Sequence, residues 1–106
     1  MAKKRAITIK RSRSISDYFE EFLMSKMAIG ITEATKKTYQ THLSAISHHL
    51  DIHKDIEKVS SNDIERMIAS MRASNLSPNS IRSYTITLRA FFSWCEKEGI
   101  DILYFH

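Results

Sequence analysis

The chain of 106 residues has only two glycines, one proline and one cysteine. So few turn-formers leave little punctuation for the many short strands of an all-β fold. The lone Cys95 excludes an internal disulfide and suits a reducing compartment; it falls on an apolar helix face and is expected to be a buried small hydrophobe. No apolar run approaches the ~18 residues of a membrane span. The start, MAKKRAITIKRSRS, is basic but has no apolar segment behind it, so it does not read as a secretory signal, and a cytoplasmic location is expected. No glycine-rich phosphate loop is present. His49 and His53 have the four-residue spacing of a metal pair, but the helix that would carry them is expected to end at Leu50, and no cysteine or Glu-x-x-His pattern supports them. They read as solvated histidines, and Glu20–Glu21 and Asp55–Glu57 as solvated acids. No cofactor, metal or catalytic set is expected.

The charge present is unevenly placed. Residues 1–13 hold Lys3, Lys4, Arg5, Lys10, Arg11 and Arg13 with no acid, for +6, while the remainder carries −2. This reads as a basic, disordered tail of polyanion-seeking character ahead of a near-neutral domain at 14–106.

Within that domain the apolar spacing is helical. "SISD" at 14–17 has the form of a capping box, and Ile15, Tyr18, Phe19, Phe22 and Leu23 follow as a stripe, which predicts a helix over 15–29. Thr32 is a candidate cap for a helix over 33–50 with Tyr39, Leu43, Ile46 and Leu50 inward. In the connection that follows, Ile56 and Val59 are expected to anchor to the core. "SSND" repeats the capping box at 60–63 and opens a helix over 61–73 with Ile64, Met67, Ile68 and Met71 inward. Ser77 and Pro78 suit a cap and a first helical position, and Gly99 a stop, so the last helix is placed over 78–97, with Ile81, Tyr84, Leu88, Phe91, Phe92 and Cys95 inward. Met24, Met27, Met67 and Met71 are expected to fill core gaps. The expectation is an all-α bundle of four helices arranged as two crossing hairpins.

Two outer faces lack carboxylates. On the second helix Lys37, Thr41, Ser44 and His48 lie opposite the apolar stripe, with Lys36 at its flank. On the fourth, Asn79, Arg82, Ser83, Ile86, Arg89 and Ser93 lie outward, and no acid occurs before Glu96. Such residue types contact phosphates and base edges, where acids would repel the nucleic-acid backbone. The candidate DNA contacts are therefore the six basic tail residues with Lys36, Lys37, Thr41, Ser44, Asn79, Arg82, Ser83 and Arg89. Three other readings stay open: ion pairs from the arginines to Asp63 or Glu65, a helical protein-interaction module, and a small DNA-binding regulator.

The stretches "SISDYFEEFL", "TEATKKTYQTHLSAI", "IEKVSSNDIERMIASM" and "LSPNSIRSYTITLRAFFSWCEKEGI" together resemble the N-terminal core-binding (SAM-like) domain of tyrosine recombinases, the phage-integrase family. The marks are the Thr35-Tyr39-Leu43 spacing and the Ser-Pro and Phe-Phe-x-Trp pieces; Ser80 stands where the family usually has Thr. The resemblance implies a C-shaped clamp on double-stranded DNA, with the second and fourth helices approaching the major groove. It implies as partners the catalytic domain of the same parent chain and other recombinase protomers. The family's catalytic arginines, lysine, histidine and nucleophilic tyrosine belong to that second domain and map onto nothing here. The fragment is therefore expected to be non-catalytic, and Tyr18, Tyr39, Tyr84 and Tyr104 are not nucleophiles. After Gly99 the family usually runs into an Asn-Pro linker; "GIDILYFH" stands here instead, either packed on the domain or a severed continuation.

Overall fold

A computed structural model describes residues 13–104. It contains α1 (Ile15–Ala28), α2 (Glu33–Ser47), α3 (Ser61–Ala73) and α4 (Pro78–Lys97), with a 3-10 turn at Ile56–Lys58. No strand occurs among the described residues; Ser14 and Asp55 form one isolated bridge. α4 packs against the other three helices and α1 against α2, so the hairpins α1–α2 and α3–α4 share one core. The expected disorder of the tail through residue 12 lies outside the described residues.

The helix starts are local chemistry. Ser14 Oγ accepts from the Asp17 amide while the Asp17 carboxylate accepts from the Ser14 amide, and Ser60 and Asp63 repeat the arrangement. Thr32 and Ser77 cap α2 and α4 through the amides of Thr35 and Ser80. Three helices stop by one device. Gly30, Asn75 and Gly99 take positive φ after α1, α3 and α4. The amides of Ile31, Leu76 and Ile100 then reach back to the carbonyls of Lys26, Met71 and Cys95. Asn75, at φ 63°, is the one non-glycine residue so placed among those described.

The core is aromatic at its centre. Phe91 of α4 lies 5.3 Å from Phe19, 5.7 Å from Phe22 and 5.4 Å from Phe92 between ring centroids, and Trp94 stacks on it at 6.2 Å. Ile15, Ile46, Ile56, Val59, Met67, Met71, Leu88 and Cys95 are also among the interior residues. Ile100 and Tyr104 are buried too, with Tyr104 at 5.0 Å from Phe92, so the segment after α4 packs on the domain.

The structure corrects four expectations about the fold. α2 ends at Ser47, not Leu50: the amides of His48 and His49 turn to the carbonyls three residues back, and Leu50 reaches the core from the turn. Met24 is 74 % exposed and Met27 half-buried, because the end of α1 runs beyond the core that Phe22 and Leu23 fill. His49 is half-buried, with Nδ1 at 2.8 Å from the Ser70 hydroxyl, which ties the end of α2 to α3. Glu21 is an ion-pair partner, at 2.9 Å from Arg13.

Candidate nucleic-acid interface

α4 carries its polar side away from the aromatic core. Burying Ile81, Leu88, Phe91, Phe92 and Cys95 on one face leaves Asn79, Arg82, Ser83, Ile86 and Arg89 exposed on the other, and Ser93 partly so. α1, α2 and α3 each place an acid in the first turn (Asp17, Glu33 and Asp63), whereas α4 has none. Its amide terminus is capped by the Ser77 hydroxyl but meets no first-turn carboxylate, so its partial positive charge is not offset by an acid.

Beside this face, α3 and α4 enclose an open groove of about 740 Å³. Arg72 comes from α3, Arg82 and Arg89 from α4; Ile68, Leu76 and Ile86 give apolar surface, and no carboxylate lines the groove. None of the three arginines has an ion-pair partner among the described residues. Asp63 pairs with Lys54 at 2.9 Å and Arg66 at 3.7 Å, so it is engaged elsewhere. The Ser60 amide and the Lys54 ammonium hold the Asp63 carboxyl below the usual carboxylate range, as the Ser14 amide does for Asp17.

α2 is held to α4 at one polar point. His42 Nδ1 lies 2.6 Å from the hydroxyl of buried Thr87, and its ring meets Tyr84 edge-on at 5.2 Å. Burial pushes the His42 pKa below the ordinary histidine value, which favours the neutral ring. Lys37, Thr41 and Ser44 are exposed on α2 as expected, but Lys36 lines a different hollow, against Glu20, Leu23, Met24, Met27 and Gln40 at the α1–α2 side. Arg13, counted with the tail by sequence, sits on the domain. Its guanidinium pairs with Glu21 at 2.9 Å and lies 4.6 Å over the Tyr18 ring, and its carbonyl accepts from the Ile56 amide. Lys3, Lys4, Arg5, Lys10 and Arg11 lie outside the described residues.

The model of the phage integrase N-terminal SAM-like domain matches residues 16–99. The chain belongs to that family. No curated protein and no solved structure matches it. The all-helical architecture is consistent with an integrase SAM-like domain. Among the described residues there is no helix long and apolar enough to cross a membrane, and no group of three or more potential metal ligands.

Sequence reasoning missed two features of this integrase domain. Arg72 was unremarkable as a basic residue in the last turn of a helix; its place beside Arg82 and Arg89 depends on how α3 lies against α4. The His42–Thr87 pair joins residues 45 apart in sequence. Its only sequence signal is a polar residue interrupting each apolar side, Thr87 directly before Leu88 and His42 directly before Leu43.

Proposed function

We propose that this domain binds duplex DNA as the core-binding half of a site-specific tyrosine recombinase, and that it is itself non-catalytic. The observation that carries the reading is the α3–α4 groove, with three arginines that have no ion-pair partner among the described residues, no carboxylate in its lining, and the acid-free face of α4 alongside. Guanidinium groups engage phosphate oxygens in bidentate fashion, and a groove of one charge sign draws a polyanion to it. Lys37, Thr41 and Ser44 of α2 extend the contact, in fixed relation to α4 because His42 and Thr87 join the two helices. The basic residues of the N-terminal segment add phosphate contacts. The catalytic domain of the parent chain closes the clamp from the other side of the duplex, and other recombinase protomers complete the working assembly.

The non-catalytic part of the reading has its own support. Tyr18 and Tyr104 are buried and Tyr39 and Tyr84 half-buried against the core, a placement that favours packing roles over nucleophilic ones. The chain alone is expected to form no covalent tyrosine–DNA adduct.

The test is duplex affinity as a function of salt. Non-specific binding on the order of 10⁻⁴ to 10⁻⁶ M is expected, falling steeply as salt rises, with each phosphate contact contributing about −0.9 to the slope. Arg82→Ala and Arg89→Ala should each flatten the slope by about one contact and leave the melting temperature nearly unchanged, since surface substitutions usually stay within about ±0.5 kcal/mol. Salt-insensitive association, or arginine variants that melt early and still bind DNA when folded, would overturn the reading in favour of a protein-interaction module.

A further inference from the structure

We propose that Ile86 reads the 5-methyl group of thymine in the major groove, while Arg72, Arg82 and Arg89 hold the flanking phosphates; this rests on the DNA-binding reading above and deepens it. Ile86 is 56 % exposed, the one large apolar side chain of α4 that stays largely in water. It follows Arg82 by four residues and precedes Arg89 by three, so the three side chains share one helix face within about 10 Å of axis. It also lines the same groove as those arginines and Arg72. At a solvated helical position isoleucine is a poor choice, since straight-chain polar residues are better helix formers and leave no apolar surface in water.

Charge complementarity selects the occupant. Ile86 is the exposed outer edge of an apolar strip that Ile68 and Leu76 continue into the groove, flanked by three guanidinium groups and with no carboxylate in the lining, which fits a surface that is anionic at its edges and carries apolar groups between them. The major groove of thymine-containing duplex DNA has that pattern. Phosphates run along both rims, the groove is wide enough to admit an α-helix, and the thymine methyl is the apolar feature that the base edges present. Asn79 and Ser83, exposed on the same helix, supply hydrogen-bonding groups for the neighbouring edges. An acidic protein segment would meet the same arginines, but it would have no use for the acid-free length of α4 beyond the groove.

The experiment compares two duplexes of the same alternating A/T sequence, one with thymine and one with deoxyuridine, which differ only in the methyl groups. Affinities are read by fluorescence anisotropy for the native chain and for Ile86→Ala, with thermal melting to show that the exposed substitution leaves the fold intact. The native chain should favour the thymine duplex by about fourfold for each methyl engaged, equivalent to ~0.8 kcal/mol. Ile86→Ala should lose that preference and keep the salt slope. Equal native affinities with a steep salt slope would overturn the role of Ile86 and leave DNA binding standing. A preference that survives Ile86→Ala would also overturn it, assigning the effect to DNA shape. Absence of salt-dependent binding to either duplex would remove both proposals and point to an acidic protein as the occupant.

Discussion

Thr87→Val is the perturbation that best isolates how the two polar faces are held together. Valine keeps the branched shape of Thr87 in a site only 3 % exposed, so little repacking is required. What disappears is the hydroxyl 2.6 Å from His42 Nδ1. Leaving a buried polar atom without its partner costs about 1–3 kcal/mol. His42 is only half-buried and water can partly replace the lost hydroxyl, so the lower end, about 1 kcal/mol, is expected. For a domain of this size that lowers the melting temperature by roughly 4–8 °C.

The same site predicts a pH dependence. In the unfolded chain His42 titrates near the ordinary histidine value, about 6.5. In the folded chain burial lowers its pKa. Between the two values the unfolded state binds more protons, so the contribution of His42 to stability is full above about pH 6.5 and is lost as pH falls below it. Thermal melts at pH 7.5 and 5.5 on the native chain, Thr87→Val and His42→Gln check both points. His42→Gln should lose less stability on acidification than the native chain, because glutamine does not titrate. If it loses as much, burial of His42 is not the cause. If Thr87→Val melts with the native chain at pH 7.5, the bond contributes nothing and α2 is held to α4 by apolar packing.

Two further substitutions probe the frame that carries the groove. Phe91→Ala empties the centre of the aromatic cluster and should cost about 3–5 kcal/mol by denaturant titration, a large part of the ~5–15 kcal/mol expected of a small domain; a loss under about 1 kcal/mol would show that its neighbours collapse into the space. At Asn75, held at φ 63° after α3, glycine should be neutral or stabilising, whereas alanine should cost about 1–2 kcal/mol because its Cβ opposes left-handed backbone; equal melting of the two variants would mean that the turn relaxes to another conformation.

What could be read from the sequence divides by range. α3 and α4 have the bounds the sequence predicts, because Ser60, Ser77, Pro78 and Gly99 act within a few residues of themselves. The end of α2 was not legible, because Leu50 is buried whether it arrives on a helix or from a turn, and periodicity registers only the burial. Met24 and Met27 mislead for a related reason: spacing says which side a residue takes, not how far the neighbouring helices extend to cover it. The candidate interface shows the same division. Asn79, Arg82, Ser83 and Arg89 were legible as an exposed, acid-free face, but the groove was not, since Arg72 joins it only through the packing of α3 on α4.

The missing acid at the start of α4 links the sequence pattern to the groove. An acidic residue in the first turn of a helix typically contributes about 0.3–1 kcal/mol, and α1, α2 and α3 each have one. α4, the longest of the four and packed against the other three, forgoes it and shows no carboxylate until Glu96. A first-turn acid there would directly follow Ser77 and Pro78, which line the groove beside Arg82, and would weaken the positive field that Arg72, Arg82 and Arg89 set up. Installing one by Asn79→Asp should therefore raise or maintain the melting temperature while reducing duplex affinity and steepening its loss with salt less than in the native chain. A variant that binds duplex as tightly as the native chain would show that the acid-free start of α4 has nothing to do with a polyanion.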